Sequence, residues 1–225
     1  MKAVILAAGR GKRMRPLTDK LPKPMVKIGS KIFLDHALSA LSPYVNEVVV
    51  VVGYLGDKII EHLNRFHPDL SVRFVKQTQL DGTGAALQLV CPYIKKGERF
   101  IVCYADEYFT ADDVCRCLVH ESSWITLVVP HPERAGVPDI DDEGKIVSVV
   151  EKPTRPTSNR VVGGLMVLND YIFDCVRKLS RHENGEYILS EAMNEYVIKN
   201  NVYAVAAQHN YQFSTNEDVN KFTKT

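Results

Sequence analysis

The 225-residue sequence has almost no charge imbalance, with 28 Lys and Arg set against 27 Asp and Glu for a formal net charge of +1. No overall field is therefore available to recruit nucleic acid or an anionic membrane, and neither is expected as a partner. Any anionic ligand must be held by a few placed cations. Long apolar runs are also missing: nothing reaches the roughly 20 residues that span a bilayer. The stretch from Ala3 to Ala8 lacks the apolar core and cleavage site of a signal peptide. Cysteine is scarce. Cys91, Cys103, Cys115, Cys117 and Cys175 make an odd count without framework spacing, which fits reduced thiols and a cytoplasmic location. Cys115 and Cys117 have no second Cys/His pair beside them, so no zinc site is expected there. Repeats, low-complexity tracts and linkers are absent too, and one domain over residues 1–225 is expected.

What is present is an alternation of strand and helix patterns. Lys2 to Ala8 and Glu47 to Val52 are apolar, largely β-branched runs of the kind found in central parallel strands. Ser71 to Val75, Arg99 to Ala105 and Trp124 to Val129 read as further strands. Between them, Phe33, Ala37, Leu38 and Leu41 form one helical stripe, and Ile59, Ile60, Leu63 and Phe66 form another. Gly84 to Val90 and Asp112 to His120 are also read as helices. Such alternation implies an α/β fold with a mostly parallel, mixed sheet flanked by helices.

The last third is richer in β-structure. Gly136 to Asp139 and Ile146 to Val150 flank the turn signal Asp141-Asp142-Glu143-Gly144 and predict a hairpin. Val161 to Leu168 predicts a strand, Tyr171 to Leu179 and Ile188 to Lys199 helices, Val202 to Ala206 a strand, and the chain from Asn216 a helix.

The first strand runs into Gly9-Arg10-Gly11-Lys12-Arg13-Met14-Arg15-Pro16-Leu17-Thr18. A glycine-rich turn at the carboxyl end of a parallel strand lets backbone N–H groups approach an oxyanion. Met14 stands where a dinucleotide fingerprint needs its third glycine, and no Gly-Lys-Ser/Thr follows as a Walker A loop requires. The loop instead carries a cluster of cations, and Lys23 follows between Pro22 and Pro24, whose rings restrict its backbone and so help to aim it. Polyphosphate binding is the expectation.

The run Leu6-Ala7-Ala8-Gly9-x-Gly11-x-Arg13-Met14-x-Pro16-Leu17-Thr18, followed by Pro22-Lys23-Pro24, resembles the signature of the sugar-1-phosphate nucleotidyltransferases. That resemblance implies a Rossmann-like core of the glycosyltransferase-A type. It also implies Mg²⁺ as cofactor, with a nucleoside triphosphate and a sugar 1-phosphate as substrates. Residues up to about 130 would bind the nucleotide and those from 131 to 225 the sugar phosphate. Leu6, Ala8, Gly9, Gly11, Arg13 and Lys23 would then line the nucleotide. Gln77 and Gly82 match the segment that reads the base, where an amide both donates and accepts. Asp106, following Tyr104-Ala105, is placed to ligate the metal. Glu151-Lys152-Pro153 resembles the element that holds the sugar and its phosphate, with Gly136 upstream and Gly164 downstream. Arg13, Lys23, Asp106 and Lys152 are the candidate catalytic set.

One position departs from the family pattern. Gln212 stands where relatives usually place a second metal-ligating aspartate. It motivates an alternative reading, a nucleotide- or sugar-binding paralogue without chemistry. A cytidylyltransferase for phosphocholine is another alternative, its cage drawn from Tyr187, Tyr203 and Tyr211. A glycosyltransferase is a third, weakened by the lack of a convincing Asp-x-Asp motif.

Overall fold

Residues 1–182, 185–211, 213 and 215–223 are described by a computed structural model. Its centre is a seven-stranded sheet. β1 (Lys2–Ala7) lies between β4 (Glu47–Val52) and β6 (Arg99–Tyr104), parallel to both, and β5 (Val72–Lys76) continues the parallel set beyond β4. On the other side of β6, β10 (Arg160–Asn169) runs antiparallel between β6 and β7 (Ser122–Val128), and β11 (Val202–Ala206) closes the edge parallel to β7.

The apolar runs are explained by burial on both faces. Along β1, Val4 and Leu6 enter one core while Ala3, Ile5 and Ala7 enter the other; along β4, Val49 and Val51 separate from Val48, Val50 and Val52 in the same way. The first core is capped by α3 (Thr83–Gln88), α5 (Tyr171–Arg177) and α6 (Leu189–Tyr196). The second is capped by α1 (Phe33–Leu41), α2 (Gly56–Phe66) and α4 (Ala111–Leu118). Thr110 and Asp113 form a reciprocal capping box that starts α4.

The predicted hairpin is β8 (Gly136–Ile140) with β9 (Ile146–Glu151), in a register that sets Gly136 opposite Glu151. A second, minimal hairpin, β2 (Lys27–Ile28) with β3 (Lys31–Ile32), was not anticipated. Helix ends fall short of the periodic signal. α3 stops at Gln88 and the chain turns tightly over Cys91–Tyr93, where Pro92 cannot supply a helical N–H. α5 and α6 end at Arg177 and Tyr196 rather than Leu179 and Lys199. The terminal helix, α7, covers Asn216–Thr223. Among the described residues no helix is long and apolar enough to cross a membrane. Cys115 is exposed and Cys117 buried, so the two thiols do not present a shared site.

This topology fixes where a ligand can sit. From β1 the chain moves outward to β4 and β5, then returns to the other side of β1 as β6. The loops leaving the carboxyl ends of adjacent strands diverge at such a reversal and leave a crevice.

Candidate active site

After β1 the chain makes three single-turn helices, Lys12–Met14, Leu17–Asp19 and Lys23–Met25. Gly11 adopts φ 60°, a left-handed conformation that glycine takes without a Cβ penalty, and its carbonyl accepts from the Thr18 hydroxyl at 2.8 Å. A Cβ on Gly11 would lie 3.1 Å from the Lys23 Cβ, so the glycine turn and the lysine are packed together. Met14 anchors the loop by burying its side chain, while Lys12, Arg13 and Arg15 remain exposed.

Lys23 does not point to solvent. Its ammonium donates to Asp106 Oδ2 at 2.8 Å and to the Phe213 carbonyl at 2.7 Å, with the side chain only 11% exposed. The amino-terminal loop, the end of β6 and the carboxyl-terminal segment thus meet at one atom. Phe213 packs edge-on against Phe33 at 5.0 Å, which holds that carbonyl in place.

Next to Asp106, Glu107 turns into the wall of the crevice and its Oε2 accepts from the Gly164 N–H at 2.6 Å. Burial, and then the neighbouring Asp106 carboxylate, push its pKa up to about 7. Gly163 and Gly164 interrupt the register of β10 against β7 between Val162 and Met166, and the Trp124 indole donates to the Gly163 carbonyl at 2.6 Å. A Cβ on Gly164 would come within 2.7 Å of the Tyr104 ring, so only glycine lets the strand approach here. Tyr104 is in turn pushed up by burial and by the Glu107 and Glu151 carboxylates.

Glu151, at the end of β9, accepts from the Ser190 hydroxyl at 2.7 Å and pairs with Lys152 at 3.4 Å. A Cβ on Gly136 would lie 3.4 Å from Glu151 Oε2. Lys152 has φ 45°, a left-handed conformation uncommon for a residue with a Cβ, and its side chain is 56% exposed. The ion pair leaves the ammonium largely in solvent.

Gln77 is buried, and its amide nitrogen donates to Asp81 Oδ1 and to the Gly82 carbonyl, both at 3.1 Å. The amide therefore braces the loop that leads into α3. Gly82 has φ 108°, and a Cβ there would fall 2.4 Å from the Tyr187 carbonyl oxygen. The Tyr187 N–H donates to the Asp81 carbonyl at 2.7 Å, and the Gly84 N–H to the Tyr187 carbonyl at 2.8 Å. Neither this clasp nor the Ser190 contact was foreseen from the sequence. A Gly-x-Gly spaced for close backbone approach was its only visible sign.

Contacts thus run from Gly11 through Lys23 to Asp106, and from its neighbour Glu107 through Gly164 to Tyr104; Glu151, Lys152 and Gly136 form a second group, whose Glu151 carboxylate acts on Tyr104 electrostatically. Leu6 and Ala8 belong to the buried core beneath this line, and Gly9, like Arg13, is exposed at its open end. Gln212 lies outside the described residues. The three tyrosines considered for an amine cage do not gather. Tyr203 stacks on His120 at 4.3 Å, Tyr211 packs against Phe222 at 4.8 Å, and Tyr187 lies under Arg181 at 5.4 Å.

A divalent cation fits this chemistry. Asp106 Oδ2 already accommodates a positive group at 2.8 Å, and Glu107 sets a second carboxyl group beside it in the chain. Hard oxygen donors with room for phosphate and water suit Mg²⁺.

Comparison with known proteins places residues 2–213 in a match to the family described as nucleotidyl transferase. A bifunctional protein GlmU of Methanocaldococcus jannaschii is 33% identical over 205 residues, covering 91% of this chain and 49% of that protein. A UTP–glucose-1-phosphate uridylyltransferase, AglF of Haloferax volcanii, is 34% identical over 207 residues, covering 86% of this chain and 82% of its own length. The chain spans about half the length of the methanogen relatives it matches. Among solved structures, one described as a glucose-1-phosphate thymidylyltransferase of Bacillus anthracis in complex with sucrose superposes with a TM-score of 0.86. It shares 22% identity, with 100% of this chain and 94% of that one covered, and it carries the same fold.

Proposed function

The chain belongs to the nucleotidyl transferase family, and from that premise we propose that it joins a sugar 1-phosphate to a nucleoside triphosphate, releasing pyrophosphate. The observation that carries the proposal is the Lys23–Asp106 contact at 2.8 Å, which ties the glycine-rich loop to the end of β6. The uridylyltransferase and the thymidylyltransferase among its likenesses favour a pyrimidine base. The buried amide of Gln77 braces the loop against which that base would lie.

In this reading an oxygen of the sugar phosphate attacks the α-phosphorus in line as the bond to the pyrophosphate oxygen breaks. The attacking phosphate is already ionised at neutral pH, so no general base is required. Catalysis then rests on alignment and on neutralising charge gathering at the leaving group. Arg13 would grip the leaving phosphates, Lys23 the α-phosphate and Lys152 the attacking phosphate. Glu151 would accept from sugar hydroxyls and be held for that purpose by Ser190. Mg²⁺, when bound at Asp106, would neutralise triphosphate charge. Glu107 holds the Gly163-Gly164 bend that forms the sugar-side wall.

The test is pyrophosphate release from four nucleoside triphosphates crossed with a panel of sugar 1-phosphates, with Mg²⁺ or EDTA. Turnover with at least one pair, abolished by EDTA, is expected. Binding of a triphosphate without turnover for any sugar phosphate would overturn the reading.

A further inference from the structure

Outside the cleft, three metal-binding side chains converge on the seam between α1 and α2. Asp35 lies in the first turn of α1, and its Oδ1 is 2.8 Å from His62 Nε2 and 2.9 Å from His67 Nε2. The three donor atoms lie within 4.8 Å of one another, and their side chains are only 23%, 12% and 29% exposed. Helical geometry alone would not bring the histidines together: residues five apart on a helix point about 140° away from each other. The convergence exists because α2 ends at Phe66. Pro68 disfavours helical backbone at His67, which takes φ −132° and ψ 49° and swings its ring back towards His62, to 5.8 Å between centroids.

We propose that Asp35, His62 and His67 form a binding site for one divalent transition-metal ion of the zinc class, clamping α1 to α2. Two imidazoles and one carboxylate on three converging side chains are a ligand set of the kind these ions prefer, whereas Mg²⁺ favours oxygen alone. Both rings present Nε2 to the same point. A neutral imidazole needs only to carry its proton on Nδ1 to offer that nitrogen to a metal. The present separations are hydrogen-bond lengths, and bonds of about 2.0–2.2 Å to a tetrahedral ion would spread the donors by roughly half an ångström. Half-buried side chains at a helix end and a first turn can yield that much. The site draws on none of the residues assigned to the nucleotide or sugar phosphate, so it stands or falls independently of the proposed reaction.

Untagged protein, dialysed against EDTA and then freed of it, is titrated with zinc chloride and with cobalt chloride while uptake, visible absorption and Tm are followed. The expected result is one tightly held equivalent, d–d bands of imidazole-ligated cobalt, and a Tm rise of about 5 °C or more at a hundredfold excess over Kd. Magnesium chloride should give none of these. His67→Gln and Asp35→Asn, the latter keeping the shape and an acceptor oxygen, should lose the equivalent and the bands. Asp106→Asn should keep both, which separates this ion from any bound in the cleft. The proposal is overturned if wild-type protein takes up no zinc beyond what Asp106→Asn removes, or if His67→Gln and Asp35→Asn bind as wild type does. The three residues would then be a hydrogen-bonded clip and nothing more.

Discussion

Two lysines face the crevice, and they are held in opposite ways. Lys23 sits on ordinary backbone, but its ammonium is fixed by Asp106 and by the Phe213 carbonyl and is nearly out of solvent. Lys152 has an ammonium more than half exposed, with Glu151 at 3.4 Å, but its backbone is forced to φ 45°. In the first case partners set the charge in place before any ligand arrives. In the second the backbone sets the direction and the side chain remains free to reach. A pre-positioned cation costs no reorganisation when charge develops, whereas a mobile one must be ordered by what it binds. In the proposed reaction Lys23 would thus act mainly on turnover and Lys152 mainly on substrate capture.

The largest effect that could break this contrast is at Lys23. Lys23→Ala removes the cation and leaves Asp106 unpaired, and kcat should fall by roughly a thousandfold with a much smaller change in KM. A loss confined to KM would erase the distinction between the two lysines. Arg13→Ala should come next, lowering turnover about a hundredfold while circular dichroism shows an unchanged fold, because the side chain is exposed and the loop is anchored by Met14. Lys152→Ala should raise KM for the sugar phosphate by about tenfold to a hundredfold, with less effect on kcat.

The acid of the site sharpens the comparison in stability rather than rate. Glu107 has its pKa raised to about 7, above the ordinary 4.5, so the folded protein holds a proton that the unfolded chain releases over that interval. Its contribution is fully present below about pH 4.5 and is lost as pH climbs towards 7. In metal-free protein the unfolding free energy should decline over that window by a few kcal/mol relative to Glu107→Gln, as read by urea titration at each pH. The smallest effect expected is at Lys152 itself. Lys152→Gly relieves the left-handed backbone that Lys152→Ala retains, and should exceed the alanine variant by about 1 kcal/mol, some 2–4 °C in Tm.

Much of the sheet was legible because β1 and β4 are buried on both sides, and burial on both sides demands the uninterrupted apolar runs that the sequence displays. The hairpin was legible for a different and local reason, the turn signal Asp141-Asp142-Glu143-Gly144 between its two strands. What was not legible depends on distant chain. Nothing in the sequence marks Glu107 beyond its place beside Asp106, since its burial arises from β10, whose Gly163-Gly164 bend arrives more than fifty residues later. Lys23 stood out by its flanking prolines, yet the partners that fix its ammonium come from the end of β6 and from Phe213, which no local pattern announces. The left-handed Lys152 is set by how β9 leaves its hairpin, and lysine gives no hint of it. Periodicity also overran α3, α5 and α6, because apolar spacing continues past the point where the backbone has already turned.

The clasp of Tyr187 on Asp81 and Gly84 reaches further than its own loop. Two residues on, the Leu189 N–H donates to Thr83 Oγ1, and one residue beyond that Ser190 holds Glu151. The start of α6 is therefore a short yoke, with one shoulder on the loop from Asp81 to Gly84 and the other on the Glu151 carboxylate. One short stretch of backbone thus braces both walls of the crevice, so a substitution that displaces it is expected to disturb the two together.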